Sequence, residues 1–155
     1  MNKEQAKTLF EKYNKDNSKG LTIDEFAFLL YDFFDIRSDS DDLDEMINDL
    51  FALADGKGFF NRKDDTLNFS EFYKVAQHLP NKFTNVRKTV GYVIFKLVDK
   101  DESGHISKKE LEEYLKTVAE GAFKIDEILD LFKDADKDGS GDIKFEEFMN
   151  LYNFE

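Results

Sequence analysis

The chain has 155 residues, and its 22 lysines and arginines stand against 34 aspartates and glutamates, which gives a net charge of −12. This charge disfavours nucleic acids and anionic membrane surfaces as partners and favours cations or basic proteins. The absence of cysteine excludes disulfides, thiolate zinc sites and cysteine nucleophiles. No signal peptide is visible at the start, and the longest apolar-rich run, residues 26–34, is too short to span a membrane. We therefore expect a cytoplasmic protein without a membrane span.

One pattern occurs four times along the chain. A phenylalanine stands four residues before an aspartate or asparagine, and further on a glutamate follows an aliphatic residue by four. The phenylalanines are at positions 10, 51, 95 and 132, and the glutamates at positions 25, 71, 110 and 147. Apolar residues spaced by three and four predict helices on both sides of each loop. The sequence therefore predicts an all-α fold of four helix–loop–helix units.

The first loop, residues 14–25, places oxygen atoms at most of the positions that a twelve-residue calcium loop uses. The candidate ligands are Asn14, Asp16, Ser18, Gly20 through its carbonyl, and Glu25. However, Lys19 stands where such loops carry glycine, and Asn14 removes one negative charge. Two interpretations stay open: a weak third calcium site, or an empty loop that only supports its neighbour.

The second loop is too long for the same pattern. The phenylalanine spacing places its start at Asp55, whereas the spacing of Leu67 and Glu71 places the start at residue 60. The loop therefore spans 17 residues, 55–71, with positive charges at Arg62 and Lys63. An improvised site could use Asp64, Asp65 and Glu71, but we expect a structural partner for the first unit.

The third and fourth loops, residues 99–110 and 136–147, fill the ligand positions of the calcium loop. Side chains at positions 1, 3 and 5, a carbonyl at 7 and a bidentate glutamate at 12 supply the oxygens, and glycine at 6 permits a positive φ. The candidates are Asp99, Asp101, Ser103, His105 (carbonyl) and Glu110, then Asp136, Asp138, Ser140, Asp142 (carbonyl) and Glu147. We expect two Ca²⁺ sites, with Mg²⁺ as a competitor. Lys144, at position 9, should make the fourth loop the weaker site.

These repeats resemble the EF-hand superfamily, in particular four-hand proteins such as calmodulin and troponin C. The resemblance implies two lobes, each a pair of hands joined by a short antiparallel strand pair. It pairs Leu21 with Leu67, and Ile106 with Ile143. We expect lobes at residues 1–79 and 84–155, joined by a linker at 80–83. Pro80 disfavours a continuous central helix, and a kinked or short linker lets the lobes lean on each other.

The helix predicted around residues 26–34 is apolar on more than one face. One stripe can face the lobe interior, and the second contains Ala27, Tyr31 and Phe34, with Phe28 beside it. A helix of this kind is normally buried on more than one face. We expect the second stripe to pack against the other lobe, a second copy or a target.

Two functions are compatible with calcium loops. A sensor opens on binding and exposes an apolar groove for a target helix, whereas a buffer binds calcium and has no target. Two complete loops out of four are a small capacity for a buffer, so the sensor is favoured. The sequence contains no nucleophile–base pair, phosphate-binding glycine loop or histidine cluster that would indicate an enzyme. It leaves the oligomeric state open.

Overall fold

The computed structural model describes residues 1–16, 19–38, 40–56, 65–119 and 122–152. Within these residues the fold is all-α with two very short strands, which confirms the predicted class. The helices are α1 (Lys3–Tyr13), α2 (Ile23–Phe33), α3 (Asp41–Asp55), α4 (Phe69–Ala76), α5 (Val86–Val98), α6 (Lys108–Val118), α7 (Ile125–Ala135) and α8 (Phe145–Met149). The strands are β1 (Leu21–Thr22) and β2 (Thr66–Leu67), and a 3₁₀ turn covers Asn150–Tyr152. Among the described helices, none has the length and apolar character needed to cross a bilayer.

The helices that leave the first three loops begin with the same reciprocal cap. At the start of α2, the Thr22 hydroxyl accepts from the Glu25 N–H at 3.2 Å, and the Glu25 carboxylate accepts from the Thr22 N–H at 2.9 Å. Asn68 with Glu71 and Ser107 with Glu110 repeat this arrangement. Such a capping box satisfies two backbone N–H groups that the helix cannot. The glutamate at position 12 therefore has a structural role in addition to any metal binding.

The predicted pairing between loops is confirmed in both halves. Leu21 lies opposite Leu67 in the antiparallel pair β1–β2. Ile106 and Ile143 exchange two backbone hydrogen bonds, each 2.8 Å long. A Cβ atom at Gly20 would lie 2.2 Å from the Leu67 carbonyl oxygen. This close approach explains why glycine stands next to the strand in the first loop.

Aromatic side chains fill the core of each half. In the first half, Phe26 packs edge-to-face on Phe51 and Phe72, with ring centroids 5.8 and 6.4 Å apart. In the second half, Phe148 lies 5.7 Å from Phe95 and from Tyr114. Edge-to-face contacts add to the free energy gained by burying these rings. The sequence's 17 phenylalanines are therefore largely a packing feature, as their helical spacing indicated.

The two halves are packed together along α3. Helix α4 ends at Ala76 and α5 begins at Val86, so no continuous central helix joins them, as Pro80 predicted. Helix α3 contacts α5 and α6 of the second half. A Cβ atom at Gly91 would lie 2.2 Å from Met149 Sδ and 3.5 Å from Met46 Cε, so glycine lets α3 and α8 pack closely against α5. The division into lobes at residues 80–83 stays a prediction.

The second apolar stripe of α2 is partly covered from within the chain. Phe34 is buried and packs on Phe83 of the connection to α5, with ring centroids 4.8 Å apart. The Tyr31 hydroxyl donates to Asp44 at 2.6 Å. Phe28, in contrast, is 70% exposed. The stripe is thus used at one end and open to solvent at the other.

Candidate metal centre

The third loop, residues 99–110, is curled by two residues with positive φ. Gly104 has φ 84° and Glu102 has φ 55°. The curl directs backbone N–H groups towards Asp99, whose carboxylate accepts from Ser103 at 3.1 Å and from Gly104 at 2.8 Å. Hydrogen bonds of this kind fix the orientation of the carboxylate. The loop therefore folds around the side chain at its first position.

Three carboxylates of this loop point into one small space. Oxygen atoms of Asp99, Asp101 and Glu110 all lie within 4.8 Å of one another. Asp99 is 2% exposed and Glu110 8%. Negative charges held this close and partly out of water repel one another strongly unless a cation lies between them. The donor set, all oxygen and mostly charged, fits a hard divalent cation such as calcium.

The neutral candidates of the third loop lie beside the same carboxylates. The Ser103 hydroxyl donates to the His105 carbonyl at 2.9 Å and lies 3.2 Å from an Asp99 oxygen. The carbonyl of His105 therefore faces the interior of the loop, while its side chain is exposed. The hydrogen bond from Ser103 is also the first cause of a lowered pKa for Asp101. All five side chains or carbonyls proposed from the sequence thus converge.

The fourth loop, residues 136–147, repeats this geometry. Oxygen atoms of Asp136, Asp138 and Glu147 lie within 4.8 Å of one another, and the Ser140 hydroxyl donates to the Asp142 carbonyl at 2.8 Å. Gly139 and Gly141 supply the positive φ values, 64° and 88°. The two loops therefore gather their candidate ligands at the same positions.

Lys144 distinguishes the fourth loop from the third. Its ammonium donates to the Asp138 carboxylate, and this bond is the main cause of a pKa for Asp138 well below its ordinary value. The third loop has Ser107 at the corresponding position, where the hydroxyl caps α6 instead. The sequence predicted a weakening effect of Lys144 but not that it contacts a candidate ligand directly.

The first loop carries a smaller set of charges at its ligand positions. Asp16 and Glu25 are its acidic residues at ligand positions, and Asn14 is neutral. Ser18, the other proposed side-chain ligand, lies outside the described residues. Glu25 is held by the cap at the start of α2. The first loop thus has two carboxylates where the third and fourth loops have three.

Eight of the 17 residues of the second loop, 57–64, lie outside the described residues, and Asp64 is among them. Of the improvised site, Asp65 and Glu71 are described. Glu71 accepts from the Asn68 N–H at 2.9 Å and so caps α4. Asp55, at the end of α3, is 5% exposed.

A polar cluster that the sequence did not predict lies between the halves. Asp49 of α3 accepts from Tyr152 at 2.8 Å and from Tyr114 of α6 at 3.2 Å. Burial is the main cause that raises the pKa of Asp49 to about 6, and it also raises the pKa of both tyrosines. One signal was available: Asp49 is three residues after Met46, on an apolar face of α3, where an acidic residue needs a partner.

Comparison with known proteins gives consistent results. Residues 88–153 match a family model described as an EF-hand domain pair. The chain is 32% identical over 151 residues to calcium-dependent protein kinase 13 of Arabidopsis thaliana. The aligned region covers 96% of this chain and 25% of that protein. It is 28% identical over 145 residues to calcium-dependent protein kinase 11 of Oryza sativa subsp. japonica, covering 94% of this chain and 22% of that protein. The chain thus spans about a quarter of the length of these curated relatives.

Proposed function

Residues 88–153 form an EF-hand domain pair that binds calcium, and from this premise we propose that the chain is a calcium sensor acting on a protein target. The observation that carries the proposal is the pair of carboxylate clusters at Asp99, Asp101 and Glu110 and at Asp136, Asp138 and Glu147. We assign these six residues as charged ligands. Ser103, Ser140 and the carbonyls of His105 and Asp142 complete the two oxygen sets. When bound, calcium supplies the positive charge that such clusters lack.

The two position-12 glutamates lie on the helical segments that contact the first half. Glu110 is in the first turn of α6, and Tyr114 follows it by one turn. Glu147 is in the first turn of α8, and the 3₁₀ turn that follows carries Tyr152. Both tyrosines donate to Asp49 of α3. A change at either glutamate therefore has a short packed route to one carboxylate of the first half, and we propose this route for the calcium signal.

Helices α5 and α6 of the second half pack against α3, so apolar surface of that half is covered within the chain. A protein target would bind this surface once it is exposed. In a sensor, calcium shifts the population towards a state with that surface exposed. We propose a regulatory role without catalysis, in the cytoplasm. Because the relatives are named calcium-dependent protein kinases, a protein kinase is the first class of target to test.

The test is a calcium titration of the full chain in millimolar magnesium, followed by isothermal calorimetry and the fluorescence of an apolar-surface dye. We expect two calcium ions and a saturable rise in dye fluorescence. Glu110→Gln and Glu147→Gln should each weaken one site by at least about tenfold, because a charged bidentate ligand is lost. Glu25→Gln is the matched change in the first loop.

Each outcome separates one part of the proposal from another. Calcium binding without a dye response would contradict the sensor and favour a buffer. Equal losses from Glu25→Gln and Glu110→Gln would show that the first loop also binds. Unchanged affinity in both Glu110→Gln and Glu147→Gln would overturn the ligand assignment.

A further inference from the structure

A groove of about 800 Å³ lies on the outer side of α2, between the end of α1 and the segment that leads to α3. Ala27, Phe28, Tyr31 and Ile36 form its apolar floor. Phe28 is 70% exposed, more than any other large apolar side chain among the described residues. Burying the exposed ring of Phe28 would lower the free energy of the system, so binding of a partner that covers this groove is favourable.

This groove is separate from the contact between the paired hands. Phe26, Leu29 and Leu30, on the opposite side of α2, are fully buried in the core of the first half. The floor residues Phe28, Tyr31 and Ile36 lie outside all four loops. Covering this floor therefore requires no opening of the hands, although Lys15, Asp24 and Glu25 of the first loop also line the groove.

The groove's own tyrosines hold carboxylates at its edges. Tyr13 donates to Asp32, and this hydrogen bond is the main cause of a lowered pKa for Asp32, which stays negative. Tyr31 donates to Asp44 at 2.6 Å. Because the hydroxyl of each tyrosine is bonded to a carboxylate, Asp32 and Asp44 place negative charges at the rim. The two phenol rings remain available as apolar surface in the groove.

The net charge of the groove is negative. Four acidic residues line it, Asp24, Glu25, Asp32 and Asp44, against two basic residues, Lys15 and Arg37. Two of these charges have partners within the chain: Arg37 pairs with the neighbouring Asp35, and Asp32 pairs with Lys12 of α1 at 3.6 Å. The whole chain carries −12. An occupant with positive charges beside an apolar stripe would match both the floor and the rim.

We propose that this groove, floored by Phe28 and rimmed by Asp32 and Asp44, is a docking surface for an amphipathic helix with lysine or arginine on its flanks. A helix presents apolar side chains every three or four residues to a groove and keeps its charges at the edges. The described walls are helices and a connecting segment, so they offer side chains and no strand edge for an extended peptide. A second copy of this chain would bring a net charge of −12 against the same acidic rim, which disfavours self-association.

The test uses two labelled peptides, each about 18 residues long so that a helix can form. Both carry leucines at three- and four-residue spacing; one has lysine at the remaining positions, the other glutamate. Fluorescence anisotropy with the full chain is measured in a calcium chelator, which keeps this experiment independent of the calcium response. We expect the lysine peptide to bind at least about tenfold more tightly than the glutamate peptide.

Variants locate the binding surface. Phe28→Ser should weaken binding of the lysine peptide by about tenfold or more, because it removes a ring that the bound peptide would bury. Asp32→Asn with Asp44→Asn keeps oxygen acceptors for both tyrosines but removes two charges, and should weaken binding roughly fivefold. Ile125→Ser is the control, since Ile125 is 65% exposed on α7 of the second half and should leave binding unchanged.

Three results would overturn the proposal. Equal binding of both peptides would remove the role of charge. Binding that Phe28→Ser leaves unchanged would place the peptide elsewhere. A dimer in sedimentation that Phe28→Ser dissociates would identify a second copy of the chain as the occupant. Circular dichroism of each variant checks that the fold is intact, so that a loss of binding reports on the surface.

Discussion

The two halves of this chain share one fold but differ in what they place on it. In the second half, both loops gather three carboxylates around a common space. In the first half, one loop has two acidic residues at ligand positions and the other is interrupted by extra residues. The first half instead carries the exposed Phe28 and its acidic groove. We infer that the hand pair of the second half responds to calcium, whereas the hand pair of the first half stabilises the fold and offers a binding surface.

The contact along α3 joins these two roles, and removing it should have the largest effect. Met46 is fully buried where α3 meets α5. Met46→Ala should lower the free energy of unfolding by about 2–5 kcal/mol, because it removes buried atoms and leaves a cavity. Chemical denaturation measures this change.

Leu129→Ala is the control for Met46→Ala, because Leu129 is 45% exposed on α7 and its loss should cost little. If Met46→Ala also had little effect, the halves would not depend on this contact. Two separate unfolding transitions in the variant, with one in the unmodified chain, would show that the contact makes the halves unfold together.

Asp49 should make the same contact sensitive to pH. Burial raises its pKa from an ordinary 3.8 to about 6, with the nearby Glu45 acting in the same direction and Tyr152 and Tyr114 opposing it. Between these values the folded chain holds a proton that the unfolded chain has lost. The stability from this proton is therefore complete below the unfolded value and is lost as pH rises through 6.

Asp49→Asn tests this dependence, because the amide oxygen still accepts from both tyrosines but carries no charge. Relative to the unmodified chain, the variant should gain up to about 3 kcal/mol of unfolding free energy between pH 4 and pH 7. Denaturation at several pH values measures the difference. Asp130→Asn, on an exposed part of α7, is the control, and an equal pH dependence in both variants would contradict the role of Asp49.

The loops and the strand pairs of this molecule could be predicted from the sequence, whereas the interface between its halves could not. The ligand positions of the loops and the pairs Leu21–Leu67 and Ile106–Ile143 follow from spacing within short repeated segments. Asp49 meets partners 65 and 103 residues away, and no periodic pattern encodes which face of α3 covers which helix. The ligand roles themselves stay predictions, although the structure brings the residues together.

Within the second half, Lys144 is expected to make the two calcium sites unequal. Its ammonium bonds Asp138, so calcium must compete with a tethered positive charge. Lys144→Ser should raise calcium affinity at 136–147 by about three- to tenfold. Ser107→Lys is the reciprocal change and should weaken the site at 99–110. Calorimetry resolves both, and an unchanged affinity in Lys144→Ser would show that the ammonium moves aside without cost.

The smallest expected effect concerns the backbone at the fourth position of each complete loop. Both positions have positive φ, 55° at Glu102 and 64° at Gly139, and both N–H groups donate back to the first residue of the loop at 3.2 Å. A side chain in this region costs about 1–2 kcal/mol, but glycine loses about 0.4–1 kcal/mol more chain entropy on folding. Glu102→Gly should therefore raise the unfolding free energy by only about 0.5 kcal/mol. Gly139→Ala should lower it by a similar amount, because the same two terms act with opposite sign.

Denaturation of the two variants in the presence of a chelator measures the backbone term without calcium. If both substitutions destabilised the chain, the Glu102 side chain would be contributing a favourable interaction that outweighs its backbone strain.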